Sequence, residues 1–431
     1  MNAVGYTPLQ AMVATRHIFF RTCVTLANVC NIPHEQYHLC RYAVEEICMD
    51  KDLALIYTRR FDAYSYGTLH PMKVERYRLT YDLMQACGLI QHIKAEEVEA
   101  VPATREELLK FHRCDYLDIL EQYSRDNNSC ANFKYGLGDM ENPVFEGLYE
   151  WISLMCGGTI TAVREVMQYG RRAAFSMAGG WHHGFPARAS GFCYLNDVVV
   201  ALKPLLEEGK RIVYVDLDAH HGDGVQQAFY TTDQVLTISI HECGKDFYPY
   251  SGFVRESGEG QGYGYSVNVP LVSHSDDLIL EQALQRIVLP LIKAYKPDLL
   301  ITQMGADFMR TDPLTRLEGT TAFMEYAARC FMATGLPWVA VGGGGYDSIN
   351  VARAWTMLWA AMLDVEVPYV LPPDFQTIIR GAGIDQTLLR DPPHLANPDD
   401  FARAQKALDE NVAFLERRIF PLYHIRPGGI A

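Results

Sequence analysis

The segment Val213-Tyr-Val-Asp-Leu-Asp-Ala-His-His-Gly-Asp-Gly-Val225 crowds the carboxylates of Asp216, Asp218 and Asp223 and the imidazoles of His220 and His221 into one short stretch. The β-branched and aromatic run Ile212–Val215 predicts a buried strand. The charge therefore gathers at a strand's carboxyl end, where open α/β sheets place their ligands. Buried charges are costly unless they are paired or hold a metal. Residues two apart on a strand share a face. Asp216 and Asp218 thus point the same way, and His220 continues that face while the chain stays extended. Asp218 and His220 are natural metal ligands. Calcium is the competing reading, but it prefers oxygen ligands. A mixed Asp/His set suits Zn2+ or another first-row metal such as Fe2+.

Other segments put chemistry at other predicted strand ends. Gly179-Gly-Trp-His-His-Gly184 follows a strand at Ala173–Ala178. Two adjacent histidines on a turn are not expected to enter a core together. They read as two imidazoles at a site mouth, each oriented by a carboxylate and suited to proton transfer; taken alone, the motif is more often an ordinary His-containing turn. Asp307 follows the strand Leu299–Met304 and could bring a second carboxylate to the same metal, although an Asp there is commonly a helix N-cap. The turn Gly342-Gly-Gly-Gly-Tyr346 follows Trp338–Val341. Its spacing is not G-x-G-x-x-G and no Lys-Ser/Thr follows, so a phosphate loop is disfavoured. It projects Tyr346, whose phenol could donate to a developing oxyanion; a core tyrosine is the alternative. Phe192 and Tyr248 lie in loops and either wall a narrow apolar channel or pack beneath those loops. His34-Glu-Gln-Tyr-His38 matches the zinc-peptidase pattern. The only further carboxylates near it, Glu45 and Glu46, share its predicted helix, and the nearby cysteines fit no standard ligand set, so an accidental match is favoured.

The elements that must position these residues alternate. Strands are expected at Leu53–Thr58, Ala173–Ala178, Arg211–Val215, Val235–Ile240, Tyr265–Val269, Leu299–Met304 and Trp338–Val341. Helices are expected at Val74–Leu89, Thr104–Tyr123, Leu148–Tyr169, Asp197–Leu206, Leu278–Tyr295, Thr320–Thr334 and Phe401–Phe420. Asn127–Gly138 should be an exposed loop. Strands separated by helices imply a three-layer α/β/α fold with a mostly parallel central sheet. We expect an N-terminal extension at 1–50, one catalytic domain at 51–370, and a C-terminal extension at 371–431 packed on it.

Of 431 residues, 49% are hydrophobic and 21% charged, an ordinary globular balance. The net charge of −14 and the absence of a basic stripe argue against direct binding to nucleic acid. That charge is compatible with a cationic substrate and equally with a cytosolic surface. The 11 cysteines show no framework spacing and suit a reducing compartment. Arg16 and Arg21 interrupt the one early apolar stretch, so no signal peptide is expected. No run reaches membrane-span length, and the expected location is cytoplasmic.

Taken together, the motifs resemble the histone deacetylase superfamily over about residues 53–365. The resemblance rests on Gly67-Thr-Leu-His-Pro-Met-Lys73 with Arg76, Gly180-Trp-His-His183, Ser190-Gly-Phe-Cys-Tyr-Leu-Asn-Asp197, Asp216–Gly224, Gly305-Ala-Asp307 and Gly342–Tyr346, all in family order. The ending with Arg353-Ala-Trp355 and Leu358-Trp-Ala360 is most like the bacterial acetoin-utilisation branch. The resemblance implies an arginase/deacetylase-type sheet and zinc-dependent removal of acetyl groups from protein lysines, with an acetylated metabolic enzyme as an expected substrate. It assigns Asp218, His220 and Asp307 to the metal. It pairs His182 with Asp216 and His183 with Asp223, makes His183 the general base, and gives Tyr346 the oxyanion. Arg76 would line an acetate exit. Phe192 and Tyr248 would wall the acyl-lysine tunnel, with Trp181, Gly191, Cys193 and Leu314 around it. A monovalent cation, K+ or Na+, would sit at Asp216, Asp218, His220, Ser239 and Ile240. Another would map to Phe229, Thr232, Val235 and Tyr265. Leu314 stands where acetylpolyamine-specific relatives can carry a glutamate, which favours acyl-lysine over small acyl-amines. Filled catalytic positions weigh against a non-catalytic acyl-lysine binder. For the loop acid that grips substrate backbone in relatives, gapless alignment points to Ala131, with Asp126 nearby.

Overall fold

The computed structural model describes residues 51–126, 131–392 and 394–426. The 1–50 extension and its His34–His38 motif lie outside the described residues. The strands are β1 (Leu53–Tyr57), β2 (Ala95–Glu99), β3 (Ala173–Ser176), β4 (Ile212–Asp216), β5 (Val235–Glu242), β6 (Ser266–Leu271), β7 (Leu299–Gln303) and β8 (Trp338–Val341). They form one sheet in the order β2-β1-β3-β8-β7-β4-β5-β6, and every pairing is parallel. Helices cover both faces, giving the three-layer α/β/α architecture expected from the alternation.

The central strands are buried along their whole length, as Ile-Val-Tyr-Val-Asp in β4 and Trp-Val-Ala-Val in β8 show. Apolar runs without alternation are what a sheet covered on both faces requires. Register decides where the site falls. Ser176 of β3 pairs with Val341 of β8, Val341 with Gln303 of β7, and Gln303 with Asp216 of β4. Four neighbouring strands therefore end flush, and the segments after them emerge side by side.

Several elements differ from the sequence expectation for physical reasons. β2 (Ala-Glu-Glu-Val-Glu) is an edge strand whose charges face water, a composition that discourages edge-to-edge association. The helix Ser348–Leu363 is buried on every side except at its first residue, so it lacks the one-sided periodicity that marks a surface helix. The expected helix Thr104–Tyr123 splits into Arg105–Leu108 and Cys114–Arg125. It breaks where the Arg113 N–H turns to the carbonyl of Pro186. Leu278–Tyr295 becomes Asp277–Ala283, a π turn at Leu284–Val288, and Leu289–Tyr295. Pro290 has no N–H for the regular ladder, which fits the local change of pitch. In the segment expected to be an exposed loop, Tyr135, Gly136 and Leu137 are buried, anchored where the Ala189 N–H donates to Tyr135. The helix Pro398–Arg418 starts on an Asn397 cap and lays one apolar face against β6, with Asn411 donating to the Pro270 carbonyl. Among the described residues no helix is long and apolar enough to cross a membrane.

Candidate active site

The segment after β4 meets the segment after β7 at three side chains. Asp218, His220 and Asp307 place one nitrogen and two oxygens within 4.8 Å of one another, all buried. His220 Nδ1 lies 2.9 Å from Asp307 Oδ2 and 3.2 Å from Asp218 Oδ1. Donors from neighbouring strands fix the carboxylates. Gln303 Nε2 and the Gly344 N–H donate to Asp218 Oδ2 at 2.6 and 2.7 Å, and the Ala219 N–H donates to Asp307 Oδ1 at 2.8 Å. Gly344 is required here, since a Cβ on it would stand 2.1 Å from Asp307 Oδ2.

The charge balance of this set fits a cation. Burial alone would lower the pKa of His220, but its hydrogen bonds to Asp218 and Asp307 outweigh that and raise it to about 10. One carboxylate is thereby compensated. Asp307 is pushed up to about 8 by burial and by the Asp218 charge beside it. Two buried carboxylates and an imidazole that converge and want more positive charge are suited to a divalent metal. Among the described residues they are the one group of His, Cys, Asp and Glu side chains close enough to hold such an ion.

Two imidazole–carboxylate pairs stand beside it. His182 Nδ1 meets Asp216 Oδ2 at 2.8 Å, and Tyr214 donates to the same oxygen at 2.6 Å. His183 Nδ1 meets Asp223 Oδ1 at 2.7 Å, with the Gly224 N–H on that oxygen at 2.9 Å. Contrary to the expectation for adjacent histidines, both are buried, at 3% and 4% exposure. What receives them is a polar pocket. Burial works against charge on His182, yet Asp216 and Asp218 overcome it and raise its pKa to about 9. His183 is lowered by burial and by the charge on His182. Similar side chains are thus driven toward opposite protonation states, the pattern that separates an electrostatic group from a base. The turn carrying them is held by a residue whose part the sequence reading missed. Asp197 accepts the N–H groups of Gly180 and Trp181 at 2.9 and 2.7 Å and the Thr159 hydroxyl at 2.5 Å.

Aromatic rings enclose the approach. Phe192 lies edge-on to Tyr346, centroids 5.7 Å apart, and Tyr248 lies edge-on to His183 at 5.1 Å. The Tyr346 ring stands 6.1 Å from the His220 ring at 90°, and the Tyr346 N–H donates to Asp312 Oδ2 at 2.7 Å. Gly191 packs against His183, since a Cβ on it would lie 2.3 Å from the His183 ring. Cys193 is buried beside it, its Sγ 3.3 Å from the Gly191 carbonyl. Trp181 is buried within the Trp151 and Tyr194 rings. Leu314 follows Asp312, to which its N–H donates at 2.9 Å. Arg76 is 1% exposed below Tyr346, donating to the Gly345 carbonyl at 3.0 Å and to the Tyr77 hydroxyl at 3.0 Å; its Nε has no hydrogen-bond partner. Ser239 pairs in register with Asp216, but its hydroxyl meets His241 Nδ1 at 2.8 Å; Ile240, the next residue, is buried.

The two loop positions offered by gapless alignment lie elsewhere: Ala131 packs against Gly138, and Asp126 caps the Cys114–Arg125 helix. Glu141 is the acid that reaches Gly191 and Tyr248. Its carboxylate accepts the Gly191 N–H and the Tyr248 hydroxyl, the latter at 3.3 Å, and Ser190 holds that hydroxyl at 2.7 Å.

Comparisons with known proteins agree with this geometry. The histone deacetylase domain matches residues 70–362. Histone deacetylase B of Dictyostelium discoideum is 40% identical over 326 residues, covering 73% of this chain and 76% of that protein. The acetoin utilization protein AcuC of Bacillus subtilis is 37% identical over 333 residues, covering 75% and 86%. The two match at much the same level, so similarity does not single out the acetoin branch. The crystal structure of an HDAC homolog from Aquifex aeolicus superposes with a TM-score of 0.76 at 33% identity, covering 84% of this chain and 99% of that one.

Proposed function

Because this chain belongs to the histone deacetylase family, we propose that it is a zinc-dependent amidohydrolase that removes acetyl groups from lysine side chains of proteins. The observation that carries the reading is the Asp218–His220–Asp307 cluster beside two His–Asp pairs and the Tyr346 phenol, at the base of an aromatic-walled approach. Asp218, His220 and Asp307 hold the divalent ion, which supplies Lewis acidity toward the acyl carbonyl and a water.

The remaining work falls to side chains. With its Nδ1–H given to Asp223, His183 keeps the Nε2 lone pair and takes the proton of the attacking water. The same nitrogen then returns the proton to the leaving lysine amine as the amide C–N bond breaks, leaving acetate and a free lysine. His182, held charged by Asp216, steadies the negative charge that builds in the pocket. Tyr346 donates its phenol hydrogen to the oxyanion. Phe192 and Tyr248 exclude water from the acyl-lysine stem, with Trp181, Gly191, Cys193 and Leu314 completing the wall. Glu141 offers a carboxylate at the mouth for substrate backbone N–H groups. Arg76, a buried guanidinium, provides a path for the acetate anion. A monovalent cation, K+ or Na+, belongs beside Asp216, Asp218, His220, Ser239 and Ile240. The acetoin-type motifs favour an acetylated metabolic enzyme as substrate and the cytoplasm as the place of action.

The test is turnover of an acetyl-lysine peptide by wild type, Asp307→Ala and Tyr346→Phe, with elemental analysis of anaerobically purified protein and activity after Zn2+ or Fe2+ is restored. Large losses in both variants are expected. Unchanged turnover in both would refute the assignment.

A further inference from the structure

The loops around the tunnel mouth expose large apolar side chains. Leu69 is 97% exposed, Met140 93% and Tyr250 67%. Each adjoins a residue of the tunnel wall. Leu69 precedes His70, whose ring meets Phe192 edge-on at 4.6 Å and whose Nε2 lies 3.1 Å from the Glu141 backbone oxygen. Met140 precedes Glu141. The His70–Glu141 contact thus ties these two loops together on the Phe192 side. Tyr250 belongs to the opposite wall, its ring 6.3 Å from that of Tyr248. Leu314, more than a third exposed, adds a fourth apolar side chain next to the Tyr346 turn.

Isolated exposed hydrophobic residues need no explanation, but several gathered at one opening mark an interaction surface. Tyr250 adds an independent sign. Its φ of +65° lies in the left-handed region that favours glycine, yet the position carries a large ring. Backbone held against its preference is a pointer to function.

We propose that this rim docks the polypeptide on either side of the acyl-lysine, and that its preferred substrates carry large apolar side chains there. The proposal rests on the deacetylase reading and names the substrate class of that same site. On the deacetylase reading the space between Phe192 and Tyr248 takes the acyl-lysine side chain, so what meets Leu69, Met140 and Tyr250 is the flanking sequence. Glu141 accepts the Gly191 N–H and the Tyr248 hydroxyl on one oxygen, Oε1, which ties this carboxylate to the wall.

The test uses the full, metal-loaded chain and four substrates with the same acetyl-lysine: flanked by Phe and Leu, by Ser and Gly, by Lys and Arg, or capped with no flanks. The apolar-flanked peptide should exceed the Ser/Gly peptide by about ten-fold or more in kcat/KM, the scale set by burying an apolar side chain. In the Leu69→Ser/Met140→Ser variant that ratio should fall to within about two-fold. A flat ratio in wild type, a ratio unchanged in the variant, or faster turnover of the basic peptide overturns the inference. If the capped acetyl-lysine is still hydrolysed, the deacetylase reading survives that result. Failure on all four substrates removes the reading and the inference together.

Discussion

Gly344→Ala tests the candidate metal site through the backbone without replacing a ligand. The added Cβ would stand 2.1 Å from Asp307 Oδ2 and 2.8 Å from Asp218 Oδ2. Ordinary contact needs about 3.4 Å or more, so the Asp307 oxygen must retreat by roughly 1 Å. Metal–ligand distances tolerate only about 0.2 Å, and Asp307 is therefore lost as a ligand. Loss of an outer hydrogen-bond partner alone weakens metal binding about 10- to 100-fold, so a displaced ligand should cost about 100-fold or more. Metal present at 100 times its Kd stabilises the wild type by about 2.7 kcal/mol. At the same concentration a 100-fold weaker site gains only about 0.4 kcal/mol. The assay is chelator competition for the Kd, with denaturation in the presence and absence of metal. Gly381→Ala is the control, since its Cβ would meet nothing within 4 Å. A Gly344→Ala protein with wild-type metal affinity would refute the geometry on which the site rests.

Two further outcomes follow from groups around the site. Asp197→Ala leaves the Gly180 and Trp181 N–H groups and the Thr159 hydroxyl without their acceptor; at about 1–3 kcal/mol per stranded donor, a loss of about 3–5 kcal/mol is expected in chemical denaturation, and a loss below about 1 kcal/mol would show that the turn is held otherwise. His112 is buried, and burial lowers its pKa to about 3, while its Nε2 accepts the Asn196 N–H at 3.0 Å. The unfolded chain binds this proton near pH 6.5 and the folded chain does not, so stability should fall as pH drops from about 6.5 toward 3, by up to about 1.4 kcal/mol per pH unit. His112→Gln should flatten that slope in urea melts taken at pH 6, 5 and 4, and an unchanged slope would assign the acid sensitivity elsewhere.

Much of the site can be read from residue type and period. Asp218, His220 and Asp307 each follow a β-branched run, and a parallel sheet brings such ends together. What was not legible depends on distance in the chain. Glu141 lies in a loop with no strand period to place it, and only folding brings it to Gly191 and Tyr248. Asp197 reads as an ordinary helix start, because the N–H groups it satisfies lie 16 and 17 positions upstream. The Ser348–Leu363 helix was silent for the opposite reason. Burial on all sides erases the polar face that would have marked it.

The arrangement separates two tasks. The chemistry is set by register: Ser176, Val341, Gln303 and Asp216 align across four strands, so the groups beyond them cannot shift without moving the sheet. On the rim proposal, specificity is set by loops that add no ligand. Leu69, Met140 and Tyr250 stand almost free of the core, and exchanging them should leave Asp218, His220 and Asp307 where they are. Loops positioned by a rigid scaffold are where function diversifies. A variant with an acidic rim, Leu69→Glu with Met140→Glu, should therefore reverse the flank preference toward Lys- and Arg-flanked peptides while binding metal with unchanged affinity, measured by the same chelator competition. If metal affinity instead fell along with the preference, the rim and the metal centre would be one mechanical unit, and the separation argued from strand register would be wrong.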